Sequence, residues 1–247
     1  MLTVKRFSIL LMIALIAAVA VSAQNRNTNE ERTVEESYLQ EAIELMIIRE
    51  TSQSSSLDQK MLALQYIGDA IERGNTSKEI CQTLEYLSME GVMIQARENG
   101  RMTNNFPLAR REAAKHLGKL GTPEAQTALI NICRFEPEPM VIQEAIKSLG
   151  DSAGDNSDKA LEAIVWIVGR FNALNPDNLM ALAAIDAIAK IADRNGGIKD
   201  PGAAGLLIRI ADGPYIRPVQ NKAKQVLGDL RKSNAQSQNQ DRENRQQ

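Results

Sequence analysis

Five short segments of the chain share one column pattern: an alanine, a bulky aliphatic residue four positions later, and then a residue with almost no side chain. The alanines are Ala63, Ala113, Ala145, Ala184 and Ala223, and the aliphatics are Ile67, Leu117, Leu149, Ile188 and Leu227. The small residues are Gly68, Gly118, Gly150, Ala189 and Gly228, and the last three copies recur every 39 residues. A period of that size belongs to pairs of short helices that cannot bury an apolar stripe alone, so neighbouring pairs must stack to complete a core. In such a stack the alanine and small columns let one helix approach the next, while the aliphatic column fills the space between.

Composition agrees with an all-α stack. Aromatics are only 4% of residues, so the core must come from Ala, Leu, Ile, Val and Met, of which Ala, Leu and Met are good helix formers. Helical periodicity and punctuation predict helices over residues 33–50, 57–73, 76–96, 107–120, 122–135, 139–150, 157–172, 177–194, 200–212 and 217–231. Thr122-Pro123 and Asp200-Pro201 each read as an N-cap followed by proline at the first helical position. The spacing from Ala63 to Ala113 is 50 residues, which predicts an insertion near 91–106, with Asn99-Gly100 and Asn104-Asn105 punctuating a loop.

The ends differ from this body. Lys5 and Arg6 precede an apolar run over 7–21, and Val21-Ser22-Ala23 supplies small residues where a signal peptidase reads, so residues 1–23 are expected to be a signal peptide cut between Ala23 and Gln24. That run falls short of the ~20 apolar residues of an ordinary span, so no stable membrane span is expected after cleavage. A periplasmic or secreted location follows. Residues 24–32 read as a flexible lead-in, 33–231 as the repeat domain, and 232–247, rich in Asn and Gln, as a disordered tail. Formal charge is −2, and loss of Lys5 and Arg6 with the signal lowers it to −4. Nucleic acid demands a basic surface, so it is not expected as a partner.

Residues 107–125, PLARREAAKHLGKLGTPEA, carry a proline helix start with an arginine, an Ala-Ala-x-x-Leu-Gly middle and a Gly-x-Pro-Glu-Ala turn into the next helix. This pattern resembles the HEAT and HEAT-like (armadillo-type) repeats, and the resemblance extends over about residues 57–231. It implies a right-handed α-α superhelix of about five helix pairs, with the second helix of each pair lining a concave contact face. Only Arg110 keeps the family's structural arginine; Ile142, Ala181 and Gln220 stand at that place in other copies.

Chemistry-bearing residues are sparse. The HEAT-like di-iron hydroxylases use several His-Glu pairs, whereas this chain has one histidine, His116, read as a partly exposed helix residue. No Gly-x-Ser-x-Gly elbow occurs. The acidic stretch over 151–158 lacks the spacing of a calcium-binding EF-hand and reads as a polar loop. No catalytic residue, cofactor or metal is assigned. Cys81 and Cys133 are offset by about 9 Å along equivalent helices at 1.5 Å per residue, beyond the ~7 Å Cα limit of a disulfide, and two buried free thiols are expected. The candidate partner-contact face comprises Arg110, Arg111, Lys115, Lys119, Gln143, Lys147, Asp186 and Lys190, together with Tyr215 as the more exposed aromatic; Trp166 reads as core. The expected function is a non-enzymatic scaffold or adaptor for another protein in the cell envelope. A lyase-type enzyme or accessory factor acting on a partner protein, and a binder of envelope lipid or glycan, are the alternatives.

Overall fold

The computed structural model describes residues 34–152, 157–172, 176–198 and 200–244. The signal at 1–23, the lead-in at 24–32 and residues 153–156 of the acidic loop lie outside these residues. Ten helices are described: α1 (Val34–Ser52), α2 (Leu57–Glu72), α3 (Lys78–Met89), α4 (Pro107–Leu120), α5 (Pro123–Phe135), α6 (Pro139–Asp151), α7 (Ser157–Asn172), α8 (Asn178–Asn195), α9 (Pro201–Asp212) and α10 (Arg217–Asn244). Residues 44–247 form one compact unit, and the described residues before it, 34–43, belong to another.

Within the unit of residues 44–247 the helices form an all-α solenoid of two layers. In one layer α2, α4, α6, α8 and α10 follow one another; in the other α3, α5, α7 and α9 do. All five pattern alanines lie on the first of these layers and are fully buried, as are Ile67, Leu117, Leu149 and Ile188. Between the layers lie the aliphatic stripes of both, for example Leu84, Leu129, Ile164 and Leu206.

Local chemistry sets the helix ends. The Thr122 hydroxyl accepts a hydrogen bond from the Ala125 N–H at 3.2 Å, and the Asp200 carboxylate accepts from Gly202 and Ala203. Gly121 and Gly196 close their helices in the left-handed region at φ 63° and 66°, where a Cβ is strained.

One expectation is corrected. The third helix ends at Met89, not near residue 96, because Gly91 turns at φ +81° with the Asn104 carbonyl packed against it. The insertion is a hairpin, β1 (Arg97–Glu98) against β2 (Arg101–Met102), closed by Asn99 and Gly100, both at positive φ. That is the Asn-Gly turn favoured in two-residue hairpins. The buried Asn104 side chain accepts from the Ala96 N–H and donates to the Ile94 carbonyl, fixing the hairpin's base. From 232 the described helix α10 runs on to Asn244. Lengthening an existing helix avoids the nucleation penalty, and its Ala, Lys, Gln and Arg residues are adequate helix formers.

Candidate functional site

The layer of α3, α5, α7 and α9 carries bulky apolar side chains that its core does not absorb. On α7 the buried stripe is Ala160, Leu161, Ala163, Ile164, Ile167 and Val168. Opposite it, at four-residue spacing, run Asp158, Glu162, Trp166 and Arg170, a single line on a helix surface. Trp166 is 47% exposed and is no core residue, which corrects the sequence reading. The Arg170 guanidinium lies 5.6 Å from its ring centroid, a cation–π distance. Phe135 ends α5 and is 50% exposed. These two aromatics line an open groove of about 1020 Å³ with Arg134, Asp158, Glu162 and Asp200. A second cavity of about 390 Å³ also reaches Phe135, from the side of Tyr86, Met89, Met93 and Ile94.

Phe135 drew no notice in the sequence because it closes a helix otherwise in register with the core. For Trp166 the signal was present: it shares a face with Asp158 and Glu162 and lies opposite Leu161, Ile164 and Val168 on the helix circumference.

The residues expected to form the contact face are scattered in role. Arg110 is 1% exposed: its Nε donates to Glu136 at 2.7 Å, its Nη2 to the same carboxylate at 3.1 Å, and its Nη1 to Asn105 and the Glu90 carbonyl. It therefore ties α4 to the α5–α6 joint and to the insertion, and it offers nothing to a partner. Tyr215 is 6% exposed, buried against Gly213. Its neighbour Ile216, whose N–H donates to the Asn178 side chain, takes the exposed place. The remaining residues are accessible and mostly paired across repeats: Arg111 with Glu144, Lys119 with Glu72, Lys190 with Asp151 and Asp186 with Lys222. Gln143 donates to Asp177, Lys147 reaches Glu144, and Lys115 pairs within its own helix with Glu112.

Next to Arg110 a second buried cation completes a polar network. Lys60, with no exposed surface, lies 2.7 Å from Glu90 and donates to the Ser52 carbonyl. The Tyr86 and Phe106 rings flank its ammonium at 5.7 and 5.6 Å. The Tyr86 hydroxyl donates to Glu90 in turn, and burial pushes its pKa up.

His116 is buried, against expectation. Its ring covers Gly68, its Nε2 is 3.6 Å from Glu112, and its Nδ1 has no hydrogen-bond partner. Burial holds its pKa below the usual imidazole value, with Glu112 opposing. It lines a groove of about 530 Å³ between α2 and α4 with Asp58, Asp69 and Glu72.

Both cysteines are free and buried, as expected. Among the described residues no group of three or more His, Cys, Asp or Glu could hold a metal ion, and no helix is long and apolar enough to cross a membrane.

The family model for HEAT repeats matches residues 95–167, the stretch from the hairpin through α7. Repeats of this family generally mediate protein–protein interaction and generally serve as non-catalytic scaffolds. No curated protein matches the chain.

Proposed function

We propose that this chain, a member of the HEAT-like repeat family, is a non-enzymatic adaptor that holds another protein in the cell envelope, in the periplasm or after secretion. The observation that carries this reading is the open groove between Phe135 and Trp166. Exposed aromatics lining a water-accessible groove are what protein interfaces use as anchors, and this chain has few aromatics to spend on its surface. The envelope location rests on the basic, apolar and small-residue order of residues 1–23.

The lyase-type alternative draws no support from the basic residues Arg110, Arg111, Lys115 and Lys119 of α4. The first of these, Arg110, is neutralised by Glu136 inside the core.

Affinity capture from an envelope extract tests the reading. The wild-type chain and a Trp166→Ala variant of equal thermal stability serve as baits. Retention of a protein by the wild type, sharply reduced with the variant, is the expected result. A folded wild-type bait that retains nothing contradicts it.

A further inference from the structure

We propose that the groove across the layer of α3, α5, α7 and α9 takes an extended segment of a partner protein in which lysines or arginines flank apolar side chains. This rests on the adaptor reading and names the chemistry of what is held.

Three observations lead there. First, the two cavities of this layer meet at Phe135, so one path runs from Met93 and Ile94, past Phe135, to Trp166. All four of these side chains are exposed, and they offer apolar seats in sequence. Second, the path crosses helices and does not follow one. The larger cavity continues past Trp166 on α7 to Asp200 and Gly202 at the start of α9; with packed helices about 8–10 Å apart, the three intervals from α3 to α9 span about 24–30 Å, the length of about eight extended residues.

Third, the charge along this path lacks compensation. On the other layer Glu72, Glu144, Asp151 and Asp186 each have a basic partner in a neighbouring repeat. Here Glu85 lines the smaller cavity, and Asp158, Glu162 and Asp200 line the larger. Glu85, Asp158 and Glu162 are exposed and form no ion pair among the described residues; among those residues Arg134 is the one cation lining either cavity, and Arg170 lies against the Trp166 ring. An acidic rim around apolar seats complements a cationic segment with apolar anchors and repels an acidic one.

The chain's single tryptophan is Trp166, so tryptophan emission of the full chain reports this groove alone. The probes are two synthetic peptides of about eight residues with the same leucine and phenylalanine positions, one with lysines between them and one with glutamates. The lysine peptide is expected to give a saturable emission change. Its affinity should fall about tenfold in Asp158→Asn/Glu162→Gln and in Phe135→Ala, and remain unchanged in Lys147→Ala on the other layer. Equal binding of the glutamate peptide, no saturable change, or indifference to the groove variants overturns the proposal. Capture of an envelope protein that persists undiminished with Phe135→Ala overturns the groove and leaves the adaptor reading standing. Failure of the folded wild type to capture any protein removes the reading beneath it.

Discussion

Gly150 and Ala187 meet backbone to backbone. A Cβ built on Gly150 would lie 2.6 Å from the Ala187 Cα and 2.8 Å from its Cβ. Gly118 has the same relation to Ser148, and Gly68 to the His116 ring. In these three copies the small residue five places after the pattern alanine thus receives the residue three places after the next one. Gly228, in the last copy, has nothing within 4 Å. Gly118→Ala and Gly150→Ala are each predicted to destabilise the chain by about 1–3 kcal/mol through overpacking. Gly228→Ala is predicted to be neutral or to stabilise by about 0.5–1 kcal/mol, the helix preference for alanine. Urea midpoints of the three variants check this.

Arg110 and Arg111 are neighbours with opposite fates. Removing Arg110 leaves the Glu136 carboxylate buried without its partner, a change that costs about 3–5 kcal/mol. Arg111 is half-exposed, and the buried Glu144 that it reaches at 3.4 Å also has Lys147 at 3.5 Å, so its loss leaves that carboxylate paired and costs about 0–1 kcal/mol, as for a surface pair. Arg110→Ala should therefore lower the thermal midpoint severely and Arg111→Ala barely, as read by calorimetry.

His116 gives the fold a pH dependence of definite sign. Its folded pKa is below the ordinary value of 6.5 because burial disfavours the imidazolium; Glu112 and Glu72 oppose this, and Lys115 and Lys119 reinforce it. As pH falls through 6.5 the unfolded chain takes up the proton first. Stability is complete above that value and declines below it, until the folded imidazole also protonates. Glu72, its pKa lowered chiefly by a hydrogen bond from Lys119, acts only below its ordinary value of 4.5. Between pH 6.5 and 5 the urea midpoint of the wild type should fall, and that of His116→Gln should fall less. Parallel slopes would exclude His116 as the source.

Burial pushes the Cys133 thiol up to about 12 and raises Cys81 as well. Because the thiolate is the nucleophile, the native chain should resist a disulfide reagent at pH 8, with Cys133 reacting about a thousandfold or more slowly than an ordinary thiol. Two thiols should titrate after denaturation. A count of native and denatured thiols checks this.

Much of the stack was legible because its punctuation is local. Pro107, Pro123, Pro139 and Pro201 each open a helix in the structure as in the sequence, since proline fixes the start without help from tertiary contacts, aided by the Thr122 and Asp200 caps at two of them. Burial of particular polar residues was less legible. Arg110 and Arg111 are adjacent, and only the arrival of Glu136 from a neighbouring joint distinguishes them. Tyr215 and Ile216 exchange places because Asn178, 38 residues away, holds the turn. The hairpin was signalled by Asn99-Gly100, but its strands are too short to show alternation. In the groove, the acidic line with Trp166 could be read from four-residue spacing, whereas the position of Phe135 between two cavities depends on how α3, α5 and α7 stack.

The claim that a partner protein sits on the layer of Phe135 and Trp166 is tested most directly by site-specific photocrosslinking in intact cells. A photoreactive phenylalanine analogue replaces Phe135 or Trp166 in one set of chains and Lys115 or Lys147, on the other layer, in a second. A discrete adduct with one identified protein from positions 135 and 166, and none from 115 and 147, is the predicted result. Adducts confined to positions 115 and 147 would contradict it.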